Sequence, residues 1–297
     1  MIKKWENETC RLELDLDLFN KRIRIINYEG DVCSFFLDMM EAATEHDIEK
    51  IIIFAKKNDT AGLLEHVFEP EGQIDGYYNG HDAAVLVQYL NQNRRNTDDW
   101  LAQDDMLREL FLSPAPQEKK LAPFFIRPAE SGDAPLLAKL YQDVFPVYPA
   151  PVTDPEYVKK TMAEGAVYYL AFDQTKLVAA ACADVNQTLK NAEMTDCAVL
   201  PSHRGFSLTK RLITALEAEL KQAGVFYVFS IARAASLGMN ATLYHLSYRY
   251  RGRLANNCFI YKSLENMNIW CKNLSRPPEM TSQGGKLSRF GRDCFSK

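Results

Sequence analysis

Residues 191 to 224 place a carboxylate, an arginine–glycine turn and two hydroxyl side chains in one strand–turn–helix unit. The strand stops at Pro201, Arg204 and Gly205 make a tight turn, and Leu208, Leu212, Ile213, Leu216 and Leu220 then recur on one helical face until Gly224 ends the helix. A helix that starts straight out of a short turn leaves its first backbone N–H groups unpaired and pointing outward. With the positive end of the helix dipole they form an anion site, suited to a pyrophosphate. Arg204 adds a charge-assisted contact there, and the hydroxyls of Ser207 and Thr209 can donate hydrogen bonds. On the strand, alternation puts Glu193, Thr195 and Cys197 on one face and Met194 with Asp196 on the other. A carboxylate among apolar neighbours has a raised pKa and suits proton abstraction near neutrality. Glu193 is the first candidate base and Asp196 the second; a structural role for Glu193, or one binding an ammonium group, remains open. A second unit at 233–250 carries Asn240 and Tyr244, four residues apart and so on one helical face.

Together these segments resemble the GNAT superfamily of acetyl-CoA-dependent N-acetyltransferases over residues 122–274. The diphosphate loop of that family reads Arg/Gln-x-x-Gly-x-Gly/Ala. Here Arg204, Gly205, Phe206, Ser207, Leu208 and Thr209 occupy it, with Ser207 and Thr209 where the family usually has small residues without hydroxyls. The resemblance is most particular to beta-lysine N-acetyltransferases, through the run from Glu193 to Val199, the loop itself, the helix from Met239 to Tyr244, the regions 256–258 and 268–270, and the amino-terminal extension.

The resemblance implies roles. Acetyl-CoA would be the co-substrate, its arm pairing with the end of the fourth strand of the family fold at Ala198, Val199 and Leu200. The N–H of Val199 would serve the developing oxyanion, Asn240 would contact the cofactor arm, and Tyr244 would protonate the leaving thiolate. The acceptor would be a small-molecule amine, beta-lysine, and the product a compatible solute. Such a substrate calls for an arginine for its carboxylate and an acid for its retained ammonium. Arg127, Arg233, Arg249, Arg251, Asp184 and Asp196 are all available for this.

Composition narrows the alternatives. The 297 residues are 47% hydrophobic and 25% charged, with a net charge of −4, which argues against a broad nucleic-acid or anionic-membrane surface. No apolar run approaches the ~20 residues a membrane helix needs. The amino-terminal stretch carries no apolar h-region, so a cytoplasmic protein is expected. The seven cysteines are scattered without a C-x-x-C pair, and the five histidines have no metal-ligand spacing, so reduced thiols and no metal site are expected.

The fold expected is α/β: a GNAT-type mixed sheet flanked by helices over 122–274, a smaller α/β domain over 1–115, and a disordered tail over 275–297. A proline-rich, charged linker at 113–123 divides them. In the first part, strands are expected at 22–26 and 50–54, a helix at 32–43 between them, a short helix at 63–68, a hairpin of 73–78 and 83–90 across Asn79-Gly80, and a helix at 98–111. In the second, an edge strand at 124–128 precedes a helix at 133–144, a stiff loop at 146–155 carrying Tyr148, and a helix at 157–164. Strands at 166–173 and 176–185 lead into the opening unit, a strand at 225–232, a helix at 237–246, and final strands near 250–255 and 258–264. The amino-terminal part would be a lid, a homodimerisation module or a substrate wall. Two other functions fit the sequence: acetylation of another amine (a polyamine or a protein lysine), or a non-catalytic acyl-CoA-binding regulator.

Overall fold

Leucine alternates with acid from Cys10 to Asp17, burying Leu12, Leu14 and Leu16 and leaving Glu13, Asp15 and Asp17 on the opposite face. This is a half-buried strand. It and the strand before it were not expected from sequence. The computed structural model describes residues 2–114, 123–260 and 262–275. Residues 276–297 of the tail expected over 275–297 and residues 115–122 of the expected linker lie outside the described residues.

In the first part, β1 (Ile2–Glu6), β2 (Cys10–Asp17) and β3 (Arg22–Gly30) form a meander. Helix α1 (Phe36–Glu45) crosses to β4 (Lys50–Lys56), which lies parallel to β3. After the short α2 (Thr60–Glu65), β5 (Glu69–Tyr78) and β6 (His81–Tyr89) make the expected hairpin. Its turn holds Asn79 at φ 49° and Gly80 at φ 97°, the two positive values such a tight hairpin needs. Helix α3 (Trp100–Leu112) follows.

The second part runs β7 (Phe125–Pro128), α4 (Ala134–Val144), α5 (Pro155–Ala163), β8 (Val167–Asp173), β9 (Lys176–Asn186), β10 (Asn191–Val199), α6 (Leu208–Gln222), β11 (Tyr227–Arg233), α7 (Leu237–His245), β12 (Arg249–Ile260) and β13 (Ser263–Asn273). The last two strands are longer than the 250–255 and 258–264 expected. Register shifts between Tyr250 and Gly252 and between Leu254 and Cys258 break the alternation of β12, and β13 is buried on both faces from Asn266 to Cys271. Neither strand therefore carries a clean period of two.

The thirteen described strands form one mixed sheet in the order β1-β2-β3-β4-β6-β5-β12-β13-β11-β10-β9-β8-β7. The two parts join where Gly72 of β5 pairs with Gly252 of β12. A Cβ on Gly252, at φ 137°, would stand 2.3 Å from the Glu71 carbonyl oxygen, so glycine allows this approach. Buried polar groups reinforce the join. Lys50 Nζ donates to Glu71 at 2.7 Å and to the Ala255 carbonyl at 2.8 Å, and Arg94 donates to the carbonyls of Asn20, Asn256 and Asn257.

Four apolar clusters set the layers. Helices α6 and α7 pack on one face of the second part through Leu212, Ile213, Leu216 and Leu243, and α4 and α5 on the other through Leu137, Tyr141 and Val158. Helix α1 covers the leucine face of β2 and β3. The fourth cluster bridges the parts: Phe54, Tyr77 and Val85 of the first meet Phe229, Leu254 and Ile269 of the second. Among the described residues no helix is long and apolar enough to cross a membrane.

Candidate active site

Strand β10 lies antiparallel to β9 and parallel to β11, but its pairing with β11 stops at Glu193 opposite Phe229. Its register against β9 then jumps from Thr195–Cys182 to Ala198–Ala180, so one extra residue is held in a bulge. Asp196 takes a left-handed φ of 48° there. Beyond this point β10 and β11 separate, tied by Ser230 Oγ donating to the Met194 carbonyl at 2.8 Å. The opening holds a cavity of about 670 Å³. Met194 to Cys197 and Val199 line it from β10, Ser230 to Arg233 from β11, and Gly238, Met239 and Thr242 from α7. Phe145 and Tyr148 of the proline-rich loop close one side. The bulge corrects the strand reading: Asp196 does not point away from Thr195 and Cys197 but lines the cavity with both.

One end of the cavity is the expected turn: Arg204, Gly205, Ser207, Leu208 and Thr209 all line it. Ser207, at φ 56°, precedes α6 without capping it by its side chain, and the first helical bond runs from the Arg211 N–H to the Ser207 carbonyl at 3.1 Å. The N–H groups of the first helical turn thus face the cavity without helical acceptors. Gly205 has φ 86°, and a Cβ built on it would meet nothing within 4 Å, so the turn is open to a ligand. Unpaired N–H groups, two hydroxyls, a guanidinium and a helix dipole fit the diphosphate of acetyl-CoA. Phe206 is turned away, its ring 5.5 Å from Phe124, and Ala198 is buried in the core beneath α4. These two residues and Leu200 do not line the cavity.

The other end is acidic. Tyr148 Oη donates to Asp196 Oδ1 at 2.8 Å. Burial pushes the Asp196 carboxyl up to about 6, against the pull of the hydrogen bonds from Tyr148 and Thr195. Glu193 stands behind the cavity wall, directly across from Asp184 on β9. Burial pushes Glu193 up to about 7; Arg24 opposes this, while Asp184 and Asp196 add to it. Either carboxyl can therefore accept a proton near neutrality. Burial and the neighbouring Asp196 push the Cys197 thiol up to about 12, so it stays protonated and is no nucleophile.

The structure gives Asn240 a different place from the one expected. It is fully buried; its Nδ2 donates to the carbonyls of Arg233 at 2.9 Å and Ser236 at 2.8 Å, and its Oδ1 accepts from Asn268 and Trp270, both at 2.9 Å. With both ends of its amide used, it fixes the start of α7 against β13 and has nothing left for a cofactor. Tyr244 is half-buried outside the cavity, its ring 5.3 Å from Phe111 and its hydroxyl donating to the Phe111 carbonyl at a weak 3.4 Å.

Two residues near the site escaped the sequence reading. Ser230 looked like one more residue of a buried strand. Arg24 carried a signal, since it and Arg22 interrupt the otherwise apolar run 22–26. Charged groups inside a buried strand need a partner.

Comparison with known proteins accords with this geometry. The acetyltransferase (GNAT) family profile matches residues 137–244. The chain is 46% identical over 275 residues to N-acetyltransferase YodP of Bacillus subtilis, covering 92% of this chain and 100% of that one. It is 32% identical over 252 residues to the beta-lysine N(6)-acetyltransferase of Methanosarcina mazei, covering 76% and 91% of the two chains. It is also 32% identical over 259 residues to the enzyme of the same name from Methanococcus maripaludis, covering 85% and 93%. With the splayed strands, the bulge and the open helix start in place, the chain belongs to the GNAT family of acetyltransferases.

Proposed function

We propose that this acetyltransferase acts on the N6 amine of beta-lysine and releases N6-acetyl-beta-lysine, a compatible solute made in the cytoplasm. The observation that carries this reading is the acidic end of the cavity. Asp196 lines it, and the facing pair Glu193 and Asp184 stands behind it close enough to add its charge, a concentration of acid that suits an acceptor with two ammonium groups; both relatives of 32% identity that bear a substrate name bear this one.

Acetyl-CoA supplies the acyl group as a thioester. Arg204, Gly205, Ser207 and Thr209 hold its diphosphate, and the N–H of Val199 faces the acyl oxygen as negative charge builds on it. Glu193 takes the proton that the acceptor ammonium must lose, with Asp196 as the second proton acceptor at the cavity wall. Tyr244, which lies outside the cavity, returns a proton to the leaving sulfur once its side chain leaves its weak bond to Phe111 and turns toward the cavity. The protonated state of Cys197 favours direct transfer to the amine over an acyl-cysteine route.

Thiol release from acetyl-CoA, measured with beta-lysine, alpha-lysine, ornithine, spermidine and a lysine peptide, tests the reading. A kcat/KM for beta-lysine at least about 100-fold above the others is expected. Preference for spermidine or the peptide would discard the substrate and keep the family chemistry.

A further inference from the structure

Asp184 and Glu193 stand directly opposite each other on neighbouring strands, an arrangement of like charges that works against the sheet. The first part of the chain faces this pair with a cation. Arg24 lies on β3 two residues before Ile26, on the same strand face. Ile26 packs into the bridging cluster with Tyr77 and Phe229, and Tyr77 Oη donates to the Ile26 carbonyl at 2.9 Å. The Tyr77 and Phe229 rings are 5.9 Å apart, and Phe229 is the strand neighbour of Glu193. This packing turns the Arg24 face of β3 toward the acidic pair, and Arg24 is near enough for both Asp184 and Glu193 to feel its charge. Its Nη2 donates to Asp15 Oδ2 at 2.6 Å, its Nε is buried without a hydrogen-bond partner, and 31% of its side chain is exposed.

We infer that Arg24 reads the carboxylate of the acceptor, while the nearby pair Asp184 and Glu193 holds the acceptor's ammonium groups. This rests on the proposed function and supplies the arginine that an amino-acid acceptor needs. With Nη2 held by Asp15, the buried Nε without a protein partner and part of the side chain still exposed, the guanidinium is pre-oriented and keeps donor capacity for an incoming carboxylate. A cation beside a pair of acids matches beta-lysine, which carries its carboxylate at one end and amines at positions 3 and 6. Glu193 and Arg24 also feel each other's charge: the guanidinium holds the Glu193 carboxyl lower than burial alone would. The amino-terminal part thereby becomes a wall of the acceptor site, joined to the catalytic sheet through Gly72 and Gly252.

The test compares beta-lysine with 1,4-diaminopentane, the same diamine without its carboxylate, in the wild type, Arg24→Ala and Arg24→Gln. The ratio of the two kcat/KM values should fall at least about 30-fold in both variants, mainly through KM for beta-lysine. Coenzyme A affinity by calorimetry reports folding. A ratio within about threefold of wild type, even where both substrates slow, would overturn the inference, because a merely structural arginine or one that only tunes Glu193 affects both acceptors alike. If the wild type rejects beta-lysine, the proposed function fails by itself. Arg24 is then judged on alpha-lysine and ornithine against 1,5-diaminopentane and 1,4-diaminobutane, and an enzyme indifferent to the carboxylate in these pairs overturns the inference while acetyl transfer stands.

Discussion

The Tyr148 hydroxyl donates to Asp196 at 2.8 Å and so ties the proline-rich loop to the bulge of β10. One contact joins the loop that closes the cavity to the residue that the bulge turns into it. Without it, Asp196 would lose a bond that favours its charged form.

Tyr148→Phe should therefore raise the Asp196 pKa above its value of about 6. If the ionised form of Asp196 supports turnover, the acidic limb of the pH–rate profile moves upward, and activity falls about tenfold near pH 6 but much less at pH 8. Rates from pH 5 to 9 check this. A limb that stays in place would remove Asp196 from the titrating groups that matter.

Glu193→Gln should change stability with a definite sign. The carboxyl ionises near 4.5 in an unfolded chain and near 7 in the folded one. Below the lower value the proton is bound in both states. Between the two the unfolded chain ionises first, so stability falls as pH rises and levels off above the folded value. The loss approaches about 3–4 kcal/mol. The glutamine variant escapes it and should melt roughly 4 °C above wild type at pH 8, with no such gain at pH 4. Thermal melts at the two pH values decide. The same variant should lose the pH–rate limb near 7.

Much of this site was legible in sequence, and the rest was hidden for specific reasons. The turn from Arg204 to Thr209 declares itself through a glycine with positive φ and a helix with regular leucines, both local signals. The bulge does not, because an extra residue shows only against the register of β9, and strand alternation then puts Asp196 on the wrong face. The cofactor contact expected of Asn240 came from the family resemblance, and the partners that occupy its amide, Asn268 and Trp270, lie on a strand some thirty residues away where sequence does not show them. Arg24 faces Glu193 only because two glycines 180 residues apart join the parts into one sheet.

Arg204→Ala should weaken coenzyme A binding about 10- to 100-fold, the range for losing a charge-assisted contact. The loss should shrink with added salt, since Arg204 is exposed. Calorimetry at two ionic strengths measures both effects. Undiminished affinity would move the diphosphate away from this turn.

Tyr244→Phe should lower kcat about 100-fold with little change in acetyl-CoA affinity, if the phenol is the proton donor to sulfur. The lost hydrogen bond to Phe111 is long, so the melting temperature should hardly move. Unchanged turnover would leave Tyr244 as a packing partner of Phe111 and nothing more.

The central claim is transfer to one amine of one acceptor. Incubating the protein with beta-lysine and acetyl-CoA labelled with carbon-13 in the acetyl group, then locating the label by NMR, tests it most directly. The account predicts a single amide at N6, with the amine at position 3 left free beside the acidic wall. Label at position 3, on both amines or on neither would contradict it.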